Sequence, residues 1–61
     1  MSDLGQDIEN EISAAQRSFE FWNEQVRLQP DTAFGEQARR IAAGYAVQLD
    51  QLRTARKLLD A

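Results

Sequence analysis

Pro30 is the only proline in this 61-residue chain, and it stands between two long stretches whose apolar residues recur at helical spacing. In the first stretch the positions are Leu4, Ile8, Ile12, Ala15, Phe19, Trp22 and Val26, at steps of 4, 4, 3, 4, 3 and 4. A mean step near 3.5 keeps such a stripe on one side of an α-helix for about six turns. In the second stretch Phe34, Ala38, Ile41, Tyr45, Leu49, Leu52, Ala55 and Leu59 follow at steps of 4, 3, 4, 4, 3, 3 and 4. A proline has no N–H and pushes the residue before it out of the helical region, so Gln29-Pro30-Asp31-Thr32 is a break. The pattern predicts a helix over residues 3–28, a turn over 29–31 and a second helix over 32–59. Ser2 or Asp3 is placed to cap the first helix, and Asp31 or Thr32 the second. Asp7, Glu9 and Glu36 lie near helix N-termini, and Arg53, Arg56 and Lys57 near the final C-terminus, where the helix dipoles favour their charges.

Two long helices joined by so short a connection make an antiparallel hairpin, so the fold class is all-α. With the turn centred on Pro30, facing residues have numbers summing to about 60. Val26 then meets Phe34, Trp22 meets Ala38, Phe19 meets Ile41, Ala15 meets Tyr45, Ile12 meets Gln48 or Leu49, and Ile8 meets Leu52. The expected seam is Ile8, Ile12, Phe19, Trp22, Val26, Phe34, Ile41, Tyr45 and Leu52. The same register predicts charge pairs Glu20–Arg40, Asp7–Arg53 and Asp3–Lys57. Residues 1–31 hold seven acids against Arg17 and Arg27, a net of −5; residues 32–61 hold three acids against five bases, a net of +2. An acidic helix beside a mildly basic one fits a self-complementary hairpin. Gly35 and Gly44 each cost about 1 kcal/mol relative to alanine in a helix. Gly44 ends the small run Ala42-Ala43-Gly44, so it marks either a close approach of another element or a tolerated glycine on a solvent face.

Such a hairpin has a seam and no interior. A chain this short folds alone only marginally, and disulfides, a metal or association are the usual remedies. The chain has no cysteine and no histidine, which leaves no disulfide, thiolate or imidazole; association remains the expected remedy. Phe21 supports it. Phe19, Phe21 and Trp22 crowd into four positions, and one helix face cannot hide all three. Phe21 points roughly 130° from the main stripe, counting 100° per residue. Ala14 and Leu28 share its side, and Val47 and Leu58 lie off the main stripe of the second helix. These five residues, Ala14, Phe21, Leu28, Val47 and Leu58, are the candidate protein interface. The expected assembly is a four-helix bundle of two copies, a larger helical oligomer, or a complex with another helical protein.

Motifs that carry chemistry are absent: there is no phosphate-binding glycine loop and no metal-ligand cluster. The pairs Asp7/Glu11 and Glu20/Glu24 read as solvated helix faces, because a bundle-core metal site adds histidine to its glutamates. No cofactor, metal or catalytic residue is expected. Arg39, Arg40, Arg53 and Arg56 are candidate anion contacts, and a nucleic-acid-binding bundle is the alternative function. A net charge of −3 and a pI near 4.7 weigh against it, since phosphate recognition needs a positive field. No stretch approaches the roughly 18 apolar residues of a membrane span. The acidic start MSDLGQDIENE does not have the basic, then apolar pattern of a secretory signal, so a cytoplasmic location is expected. Trp22, eight residues before Pro30, resembles the close of a tetratricopeptide repeat, but the following residues do not begin another unit. The expectation is a non-enzymatic interaction module: a small regulator, inhibitor, chaperone or adaptor acting through apolar helix faces.

Overall fold

The computed structural model describes residues 3–60. Helix α1 spans Leu4–Leu28 and helix α2 spans Ala33–Asp60. A helix of 28 residues is about 42 Å long. The molecule measures 46 × 18 × 12 Å, so the helices lie side by side, antiparallel. The fold is the all-α hairpin that the apolar periodicity requires.

Both helix starts are capped by side chains. Asp3 precedes α1 in an extended conformation, and its Oδ1 accepts the Gln6 N–H at 3.2 Å. Ser2 lies outside the described residues. At the second start Thr32 is the cap: its Oγ1 accepts the Gly35 N–H at 2.9 Å and donates to the Gln29 carbonyl at 3.1 Å. The Glu36 N–H closes the first turn onto the Thr32 carbonyl at 3.0 Å. One hydroxyl thus ties the end of α1 to the start of α2. The Gln29 N–H still donates to the Gln25 carbonyl at 3.0 Å, after which φ −134° and ψ 61° at Gln29 lead the chain out of the helix. No described residue needs a positive φ to make the turn.

Gly35 is the glycine that the turn requires. A Cβ there would stand 1.8 Å from the Gln29 carbonyl oxygen, a backbone atom that cannot step aside. Gly44 is the reverse case. A Cβ at Gly44 meets no described atom within 4 Å outside its own helix backbone, so nothing inside the hairpin approaches it.

The seam is made of small residues apart from Leu49. Ala15 on α1 and Gly35, Ala38, Ala42 and Leu49 on α2 are buried, Ala38 completely. Alanine and glycine at the contact let the helix axes draw together. Ile8, Ile12, Phe19, Trp22, Val26, Ile41, Tyr45 and Leu52 wrap the seam half-buried. Among the described residues no large side chain is fully buried. Phe34 departs from its expected seam place and remains 45% exposed. It sits on the first turn of α2, with its ring 6.3 Å from that of Trp22.

The expected charge pairs do not form. Among the described residues the ion pairs are Glu24–Arg27, Glu9–Arg56 and Arg56–Asp60. Arg53 bonds to Gln16 at 3.1 Å and not to Asp7. Register fixes the height of a residue along the hairpin, but the helical angle fixes its side. At 100° per residue Asp7 and Arg53 fall on opposite sides of the seam plane, as do Glu20 and Arg40, and Asp3 and Lys57.

The radius of gyration is 14.1 Å, against about 10.5 Å for a compact domain of this length. The accessible surface is 4668 Å², against about 4000 Å² for a compact monomer of this mass. Gly35→Ala should lower stability by about 1–3 kcal/mol, because backbone must shift to admit the methyl group. Thr32→Ala should cost about 1 kcal/mol, with Thr32→Ser close to wild type. Urea unfolding followed by circular dichroism measures both.

Candidate protein interface

The two flat sides of the hairpin differ in chemistry. Counting 100° per residue from Ala15 and Ala38, one side collects Glu9, Gln16 and Glu20 of α1 with Arg39, Arg53 and Lys57 of α2. Two polar contacts cross the seam there: Arg53 Nη2 donates to Gln16 Oε1 at 3.1 Å, and Arg56 Nε donates to Glu9 Oε1 at 2.8 Å. Arg56 Nη1 also reaches Asp60 Oδ1 at 2.5 Å. The hydrogen bond from Glu9, then that from Asp60, raises the Arg56 pKa above its ordinary value, and the guanidinium is charged at every working pH.

The opposite side collects Ala14, Ser18, Phe21, Gln25 and Leu28 of α1 with Phe34, Ile41, Gly44, Tyr45, Gln48 and Leu52 of α2. By helical position its charged residues are Asp3, Asp7 and Glu11 toward the open end, with Arg17 and Arg40 at its outer margins. The aromatic rings form a short array here. Phe21 stands edge-on to Trp22 with ring centroids 5.1 Å apart, and Trp22 tilts against Phe34. T-shaped and tilted rings at these distances attract each other beyond their area burial. The array remains open to solvent, with Phe21 56% and Phe34 45% exposed, and Leu28 beside it is 59% exposed. Beside it Ile41, Gly44, Tyr45 and Gln48 line a shallow open depression on α2, where the glycine leaves a gap between larger neighbours.

The structure brings Ala14, Phe21 and Leu28 together on this face. It does not bring Val47 and Leu58 to it. Both are exposed, but Val47 points directly away from α1 and Leu58 nearly so. Phe34, Gly44 and Tyr45 belong to the face although their places in the seam stripe and the small run did not suggest it. An angular count on both helices, joined by the antiparallel turn, finds them.

The four candidate anion-contacting arginines are dispersed. Arg53 and Arg56 are engaged across the seam, and Arg39 and Arg40 project to different sides of α2. The acidic pairs are dispersed too: Glu20 accepts from Gln16 Nε2 at 3.1 Å, and Glu24 is held by Arg27. The Arg27 hydrogen bond lowers the Glu24 pKa and raises that of Arg27. A lowered carboxylate contributes to stability above its unfolded pKa and loses that contribution as pH falls through the folded value. The pair therefore supports the end of α1 at neutral pH and fades in acid. Neither a protein-family model, nor a curated protein, nor a solved structure matches this chain.

Proposed function

We propose that this chain is a non-enzymatic protein–protein interaction module that works by laying the apolar face of the hairpin against another helical surface. One observation carries the reading: an aromatic array, with Phe21 and Phe34 exposed and Trp22 half-buried, lies on one face, while the opposite face is closed by polar contacts between the helices. An aligned apolar set on a small chain marks a contact surface, whereas scattered apolar residues do not. Covering a Phe or Leu side chain contributes roughly 1.5–3 kcal/mol, so this face holds the largest unused stabilisation in the molecule. Regulators, inhibitors, chaperones and adaptors all act by this kind of occupancy. The reading keeps the cytoplasmic expectation; no helix of the described residues is long and apolar enough to cross a membrane.

Phe21→Ala combined with Leu28→Ala should leave the helical circular dichroism largely intact and weaken binding at least 100-fold, as loss of a buried aromatic anchor does. Val47→Ala, on the back of α2, should change neither. Sedimentation and affinity capture with full-length chains measure this; unchanged association and unchanged capture in the double variant reject the reading. For the nucleic-acid alternative, the dispersed arginines and the net charge of −3 predict elution from heparin in the low-salt wash. Retention that falls steeply with salt would favour that alternative.

A further inference from the structure

We infer that the occupant of the apolar face is a second copy of this chain, related by a two-fold axis parallel to the hairpin, with Phe21 of each copy seated over Gly44 of the other. The inference rests on the interaction reading above and names its partner.

Size is the first support. The flat side of the molecule spans 46 by 18 Å, large enough to offer the roughly 800 Å² per partner that a standard stable interface covers. The hairpin also exposes more surface than a compact chain of its mass, so covering one flat side brings it into the ordinary range. A two-fold pairing of two such hairpins is a four-helix bundle.

Charge selects the orientation. Two copies can meet face to face in two symmetric ways. With the turns at opposite ends, α1 lies on α1 and α2 on α2. With the turns at the same end, α1 of each copy lies on α2 of the other. Residues 1–31 carry a net −5 and residues 32–61 a net +2, so the first arrangement sets acidic helix on acidic helix. The second sets acidic helix on basic helix, a net attraction, with Arg40 the α2 base that lies toward the contact.

Register then places the side chains. With the turns together, α1 of one copy runs over α2 of the other at the same heights as within one hairpin. The observed cross-helix pairs Trp22–Phe34 and Gln16–Arg53 bracket the register of those heights, and Glu9–Arg56 lies between them in register. Phe21 of the second copy arrives between Ile41 and Gly44, over the depression flanked by Tyr45 and Gln48. Leu28 arrives beside Phe34. The projecting ring and the glycine gap lie on the same face at matching heights, so each copy offers both a knob and a hole. A two-fold interface requires this self-complementarity. It also accounts for Gly44, which no contact inside the hairpin explains.

The test uses the full chain over a concentration series in sedimentation equilibrium. Wild type should be a dimer. A Cβ at Gly44 meets nothing within 4 Å inside the hairpin and leucine suits a helix, so with Gly44→Leu helicity should persist while the dimer dissociation constant rises at least 30-fold. Phe21→Ala, which removes the knob, should give a similar loss. The double variant Phe21→Ala/Gly44→Leu should regain part of the association, because the leucine fills the space that the ring vacated. A nitroxide on Asp31→Cys, in a chain with no other cysteine, reads the orientation: two turns at one end give a separation well under half of the 46 Å length. A single-chain mass at every concentration, a dimer indifferent to Gly44→Leu, or a label separation near the full length overturns the inference. A single-chain mass throughout rejects the second copy only; the broader interaction reading then falls separately if the Phe21→Ala/Leu28→Ala chain captures other proteins as wild type does.

Discussion

The close approach of two helices at Ala15, Ala38 and Ala42 is the contact on which the rest of the molecule depends. Small side chains at the seam let the backbones draw near, and the larger side chains are displaced to either flank. A seam of leucines would hold the axes farther apart and draw the aromatics inward. With alanines at the contact, Phe34 and part of Trp22 are left at the edge of the seam, while Phe21 lies outside it by its helical angle. The exposed array thus follows from the seam and the helical period together. Dispersion and area burial in a two-helix contact are limited, because each flanking residue keeps one side in water. That limit explains why a chain with 43% apolar residues still has no fully buried large side chain among its described residues.

The polar flank has a different role. Exposed ion pairs are screened by salt and carry little stability. Gln16–Arg53 and Glu9–Arg56 nevertheless bridge the helices at two heights on one side only. Their value is directional: they favour one rotation of α2 about its axis over its alternatives, and so decide which residues the other flank presents. A sliding or rolling of α2 would separate the aromatic rings from the glycine depression. The turn contributes to the same constraint, because the Thr32 hydroxyl binds both helix ends and Gly35 lies against the Gln29 carbonyl.

Apolar period and a single proline were enough to read the two helices, the break and the all-α class from the sequence, because these signals are local and helical spacing is unambiguous over six turns. The caps were legible as pairs of candidates; backbone geometry chose Asp3 as the described cap of the first and Thr32 of the second. The charge pairs were not legible, because a sum of residue numbers gives height without side. Asp7 and Arg53 show the difference. Phe34 fits the period of the seam stripe yet remains 45% exposed at the turn end of α2, tilted against Trp22. The two glycines exchange the roles that their neighbours suggest: Gly35, in an unremarkable context, is sterically required, and Gly44, within a small-residue run, faces open space. Such facts depend on one backbone atom of a distant residue, and no pattern in the chain encodes them visibly. The aromatic cluster was legible as a surplus, and Phe21 as its outward member, but the face to which it belongs needed both helices in place.

The cross-helix contacts also grade steadily in sequence separation. Trp22 and Phe34 are a dozen residues apart, Gln16 and Arg53 are separated by 37, and Glu9 and Arg56 by 47. Loop-closure entropy rises with separation, so each contact formed shortens the effective loop for the next. The hairpin is built to close like a zipper, from the Thr32 hydroxyl outward. Its topology belongs with the fast folders, on the microsecond-to-millisecond scale of helical proteins rich in local contacts. Opening should run in the reverse order, with the termini parting first while the turn persists, so a protease would find its earliest foothold near Leu4 and Leu59, far from the aromatic rings.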